Sequence, residues 1–119
     1  MSFITWVKTC FSDRGKALSL YRSGMAKANK HDYGGAIADY SAAIRAPNIP
    51  TDVKGMAVYN RALAYSAIHE DEKSAEDLTA VLEMPGLPKH IKTEAQERRE
   101  RIRRRDEKRA DRPAQRKHE

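Results

Sequence analysis

The sequence predicts an all-α fold: a stack of two helix–turn–helix hairpins followed by a C-terminal capping helix. Three observations carry that expectation. The chain repeats itself at an interval of 38 residues, since 36–50 read AIADYSAAIRAPNIP and 74–88 read SAEDLTAVLEMPGLP. At that offset Asp39 meets Asp77, Ser41 meets Thr79, Ala42 meets Ala80, Ile44 meets Leu82, and Pro47 and Pro50 meet Pro85 and Pro88. The correspondence runs back through Tyr21/Tyr59, Met25/Leu63, Ala26/Ala64 and His31/His69, and forward through Val53-Lys54 and Ile91-Lys92. Secondly, apolar residues recur at helical spacing from about Gly15 onward, with no strand-like alternation. Thirdly, each repeat ends in Pro-x-x-Pro, which a helix cannot traverse. A period of roughly 20 to 50 residues marks a protein whose units bury their apolar faces against neighbours. Such proteins usually bind other molecules rather than transform them.

Each element follows in order. The first helix is expected over about Lys16–Lys30, with Leu18, Leu20, Tyr21, Met25 and Ala28 inward. A turn at His31-Asp32 leads into a second helix over Tyr33–Ala46, with Asp32 as its N-cap and Ala36, Ile37, Tyr40, Ala43 and Ile44 inward. The third helix is capped by Thr51 or Asp52 and extends to about Ile68; the fourth runs from near Glu72 to Glu83. The fifth starts near Pro88 and carries Ile91, Ala95 and Ile102 on one face. Glu94–Arg98, Glu97–Arg101 and Glu100–Arg104 have the acid-before-base spacing that supports a solvated helix, by about 0.2–0.5 kcal/mol a pair, to about Lys108. Three regions result: an apolar segment over 1–14, a helical domain over 15–105 and a basic polar tail over 106–119, disordered beyond Pro113. Within the domain, repeats cover about 16–50 and 51–87, with the capping helix from about 88. In the first region Phe3, Ile4, Val7, Cys10 and Phe11 share one helical face beside Trp6. This segment either packs on the stack or serves as an arm that occupies the groove, a homodimer contact or a membrane surface.

Composition narrows the class. At 119 residues there is room for one modest core. The mean hydropathy of −0.81 excludes a predominantly apolar chain, and no run approaches the roughly 20 residues of a membrane span. No secretory leader is expected, because the start lacks a long apolar stretch and a small-residue cleavage site. The lone Cys10 cannot form an internal disulfide, which agrees with a cytoplasmic location. The net charge of +6 is uneven: from Pro88 onward lie 13 of the 23 basic and 7 of the 17 acidic residues, leaving ten of each before it. The basic character therefore belongs to the last quarter of the chain.

The repeat resembles the tetratricopeptide family, helix–turn–helix units of about 34 residues with small residues where the two helices cross. In the first unit Gly24 stands at the crossing, and Ala36, Tyr40 and Ala43 match the small–aromatic–small pattern of the second helix. Asp32-Tyr33 matches that helix's usual entry. In the second unit the matches are Ala62, Tyr65, Ser74, Leu78 and Val81, and Tyr59-Asn60-Arg61-Ala62-x-Ala64-Tyr65 is especially similar. The likeness covers about 16–103; it departs in the linkers, about four residues longer, and in Leu20 and Val58, which replace the family's tryptophan. It implies a right-handed stack in which the first helix of every unit lines a concave groove that holds a peptide. The groove residues so implied are Tyr21, Arg22, Met25 and Asn29, then Met56, Tyr59, Asn60 and Leu63, then Arg98 and Arg101. Arg22, Asn60 and Arg98 are equivalent and are expected to form a polar ladder beside a wall of Tyr21 and Tyr59. Leu18, Ser66, Glu94, Glu97 and Arg105 fall on the same faces. Guanidinium forks suit carboxylates, and the tyrosines and methionines suit apolar side chains, so an acidic protein or peptide partner is expected. A chaperone-tail carboxylate clamp is disfavoured, because Tyr21, Met25 and Glu94 stand where that subclass has two lysines and an asparagine.

Catalytic chemistry finds no support. His31, His69, His90 and His118 are dispersed, and no Cys/His cluster suggests a metal; no cofactor is expected. The positions of His31 and His69 at equivalent turns suit left-handed backbone better than ligation. Gly34-Gly35 lacks the strand and Gly-Lys-Ser/Thr ending of a phosphate loop. The expected function is thus a non-enzymatic adaptor or scaffold. Its rival is nucleic-acid binding through Arg98, Arg99, Arg101, Arg103, Arg104, Arg105 and the basic tail, where interleaved acids and missing aromatics predict little sequence preference.

Overall fold

The computed structural model describes residues 2–112, with burial and side-chain contacts from Arg14 onward. Five helices follow one another: α1 (Ser2–Asn29), α2 (Tyr33–Arg45), α3 (Thr51–Ala67), α4 (Asp71–Glu83) and α5 (Lys89–Asp111). No strand occurs among the described residues, so the chain is all-α there. Each helix packs on the next in chain order, and α1 also touches α3. No described helix is long and apolar enough to cross a membrane.

The 38-residue period of the letters is also a period of the backbone. His31 and His69 take φ of 64° and 63°, the left-handed conformation that ends a helix and lets the chain reverse. The following N-caps agree, with Asp32 at φ −86°, ψ 74° and Glu70 at φ −93°, ψ 64°. The Asp32 amide donates to the Lys27 carbonyl at 2.8 Å, and the Glu70 amide to Tyr65 at 2.9 Å, satisfying equivalent orphan carbonyls. In the longer linkers Asn48 (φ 60°) corresponds to Gly86 (φ 80°), and Pro50 (φ −59°, ψ 142°) to Pro88 (φ −55°, ψ 140°). A glycine serves at 86 because only it enters that region without a Cβ penalty; asparagine is the next most tolerant residue.

Packing repeats with different side chains. A Cβ built on Gly24 would lie 2.6 Å from Cε1 of Tyr40, so the ring sits directly on the α1 backbone. In the second hairpin Ala62 and Leu78, both buried, occupy the equivalent positions. Ala36, Tyr40 and Ala43 are buried in α2, as are Ser74, Leu78 and Val81 in α4. Leu87 lies against Gly55 and draws the second linker into a core cluster with Val58, Tyr59, Ala62, Leu78, Val81, Ile91, Ala95 and Ile102. That cluster ties α5 to the second hairpin through a stripe at i, i+4 and i+11.

Several sequence expectations need correction. α1 begins at Ser2 rather than near Lys16: Gly15 costs about 1 kcal/mol in a helix but does not end one. The proposed apolar face over 1–13 lies outside the residues whose side chains are described. The cap position of α3 is Pro50, with no side-chain cap bond; Asp52 instead accepts from the Val53 amide at 2.9 Å. Residues 106–111, assigned to the tail, belong to α5, and 113–119 lie outside the described residues. Of the three intrahelical pairs, only Glu94–Arg98 is present among the described ion pairs, at 3.4 Å. Glu100 and Glu107 both engage Arg103.

Candidate functional site

Two hollows lie on either side of Leu63 of α3. The first, about 390 Å³, lies among α1, α2 and α3. Met25, Ala28 and Asn29 line it from α1, Tyr33 and Tyr40 from α2, and Asn60, Leu63, Ala64 and Ala67 from α3. The second, about 100 Å³, lies among α3, α4 and α5, lined by Leu63, Ser66, Ser74, Arg98, Arg101, Ile102 and Arg105. Leu63, partly buried against the core cluster, lines both.

Why these side chains gather follows from spacing. Met25 and Asn29 are one turn apart on α1, as Asn60 and Leu63 are on α3, so each pair faces one side. Arg98, Arg101 and Arg105 fall at i, i+3 and i+7 on α5, one stripe beside the buried Ile102. Asn60 Nδ2 donates to the Tyr21 hydroxyl at 3.0 Å, fixing the α1–α3 seam at the edge of the first hollow. Burial raises the Tyr21 pKa above its ordinary value, while the Asn60 bond opposes this. Tyr40, whose ring centroid is 6.1 Å from that of Tyr21, is pushed up to about 12, chiefly by burial.

The ten predicted groove residues divide. Met25, Asn29, Asn60 and Leu63 come together in the first hollow; Leu63, Arg98 and Arg101 meet in the second; Tyr21 adjoins the first through Asn60. Arg22 is exposed and lines neither, and Met56 packs against the core cluster. Tyr59 is 4% exposed, so it is a core residue rather than a groove wall. The polar ladder is also differently built. Asn60 reaches Tyr21, not Arg22, and the equivalent contact one unit on places Arg98 near Tyr59. Burial raises the Tyr59 pKa, the neighbouring Glu94 carboxylate adds to this, and Arg98 opposes it. The Tyr59 hydroxyl and Arg98 Nε are both buried without a hydrogen-bond partner.

Sequence reasoning missed Tyr33, Tyr40 and Ala67 as lining residues. The interior reading of Tyr40 holds, since it is 1% exposed; it borders the hollow as a buried wall packed on Gly24. The sequence also hid the seam network. Arg61 forks onto Asp77 at 2.8 Å twice and donates to the Ser41 hydroxyl at 3.1 Å, while Arg99 donates to Thr79 at 3.4 Å. Arg61/Arg99 and Ser41/Thr79 are 38 residues apart, so the aligned hydroxyls were the available signal.

Elsewhere, α4 and α5 border a wider hollow of about 910 Å³, where the buried Asp71 faces Arg105 at 3.5 Å and Arg109 at 3.9 Å. Among the described residues no group of histidine, cysteine and carboxylates could hold a metal ion. Comparisons with protein-family models, curated proteins and solved structures give no match.

Proposed function

We propose that this chain is a non-enzymatic adaptor of the tetratricopeptide type, holding a peptide segment of a partner protein across α1, α3 and α5. The observation that carries the reading is the pair of hollows sharing Leu63 on the seams between inner helices. Side-chain pockets beside an amide side chain able to pair with a peptide backbone, here Asn60, are what a peptide groove requires. The family resemblance of the two hairpins supports the same reading. The basic-helix alternative is weaker, because Arg103, Arg105 and Arg109 already face Glu100, Glu107 and Asp71.

Selection of a random peptide library on the full chain tests the proposal. Enriched peptides should bind wild type and lose binding to Leu63→Glu and to Asn29→Arg, with helicity unchanged by circular dichroism. Equal binding by wild type and both variants would reject this groove.

A further inference from the structure

Residues 2–12 read SFITWVKTCFS, a string that is nearly its own mirror image about Val7. Ser2 answers Ser12, Phe3 answers Phe11, Thr5 answers Thr9, and Ile4 answers the small apolar Cys10; only Trp6 and Lys8 differ in kind. The segment forms the first turns of α1, which runs unbroken from Ser2 to Asn29. At 3.6 residues per turn, Phe3, Ile4, Val7, Cys10 and Phe11 fall on one face beside Trp6. Ser2, Thr5, Lys8, Thr9 and Ser12 fall on the other, so the mirror order holds within each face.

The repeat register places this stretch beyond the rest of the stack. α3 begins at Thr51 and α5 at Lys89, and both are 38-residue equivalents of Asp13. α2 runs back along α1 with Tyr40 over Gly24, and it ends at Arg45, level with a position well after Asp13. At about 1.5 Å per residue, 2–12 therefore stands roughly 16 Å proud of the level where α3 and α5 start. The continuity of α1 also keeps the segment from folding back into its own groove as an arm. Charge disfavours a membrane surface: helices that lie there are rich in Lys and Arg on the polar face. Residues 2–13 carry one base, Lys8, against one acid, Asp13.

We infer that residues 2–12 pair antiparallel with the same segment of a second copy, about a two-fold axis at Val7. A two-fold interface needs a surface that is its own complement. The mirror order supplies one, since the axis brings Phe3 level with Phe11, Ile4 with Cys10, Thr5 with Thr9 and Val7 with Val7. An aromatic side chain buries about 150–250 Å². Phe3, Trp6 and Phe11 from two copies thus offer roughly 900–1,500 Å², which reaches the about 1,200 Å² where stable specific interfaces begin. Pairing through the overhang leaves both grooves free, so the dimer is independent of what the groove holds.

Sedimentation velocity of the full chain, from low to high micromolar concentration, tests the pairing. Wild type should reach twice its 13.5 kDa mass. Val7→Glu sets two like charges at the axis and should weaken the dimer by about 100-fold or more, with helicity unchanged by circular dichroism. Mixing Val7→Glu with Val7→Lys should restore the dimer, because the two axis residues then attract. A wild type that stays monomeric, or a dimer that Val7→Glu leaves intact, would overturn the pairing. So would monomeric variants whose mixture stays monomeric. Wild type that is monomeric but sediments with phosphatidylserine vesicles, and no longer does so as Val7→Glu, would assign the face to a membrane instead.

Discussion

In the first hairpin a tyrosine lies over a glycine, whereas in the second a leucine lies over an alanine. The backbones around them agree to within about 20° at every equivalent cap and turn angle cited above. Volume is traded across the crossing rather than lost: a larger side chain on one helix requires a smaller one on the other. The polar ties differ in the same way. Asp39 accepts the Ser23 hydroxyl at 2.6 Å and Lys27 at 3.0 Å, and its pKa is lowered, first by the Ser23 bond. Asp77, at the equivalent position, is gripped by both arms of Arg61. The exchange of serine for arginine has a reason. Arg61 also reaches back to Ser41, so one side chain closes its own hairpin and ties it to the preceding one. Ser23 makes only the bond to Asp39 among the described contacts. Two hairpins of one backbone thus differ in how far the side chain opposite the aspartate can reach.

The largest effect should come from forcing one crossing to resemble the other. Gly24→Ala should destabilise the fold by about 2–3 kcal/mol in chemical denaturation, because its Cβ meets the Tyr40 ring. Tyr40→Leu alone should cost a similar amount through the cavity it leaves. Gly24→Ala/Tyr40→Leu recreates the Ala62/Leu78 pair and should recover most of the loss. Additive losses in the double variant would show that the crossings do not exchange volume.

A smaller effect separates the acids. Asp77→Ala should cost about 2 kcal/mol, since it leaves a half-buried guanidinium without its carboxylate, while Asp39→Ala should cost about 1. Equal costs would mean that the arginine fork contributes no more than the serine hydroxyl. Thermal or urea unfolding of both variants at neutral pH makes the measurement.

What could be read from the sequence followed from local rules. Proline placed the ends of the repeats, and the spacing of alanine, tyrosine and leucine placed the buried faces of α2 and α4. His31 and His69 marked the two tight turns because a repeated non-apolar residue at a helix end is explained by backbone geometry. Asn48 and Gly86 carried the same information but shared no letter. Depth was harder. Tyr21 and Tyr59 are equivalent in sequence, yet Tyr59 lies in the core cluster with Ile91 and Ala95 of α5, whereas Tyr21 remains half-buried. Position on a helix face is local; how much of that face a neighbour covers is not. The seam contacts of Arg61 and Arg99 left only the aligned Ser41 and Thr79 as a trace, since a long side chain can reach a partner on any adjacent helix.

The most direct measurement is a nitrogen-15 amide spectrum of the full chain titrated with a peptide selected on it. Shifts should concentrate at Met25, Asn29, Asn60, Leu63 and Arg101, along the seams of α1, α3 and α5. Shifts confined to the outward faces of α2 and α4, or to α5 beyond Arg105, would contradict the account.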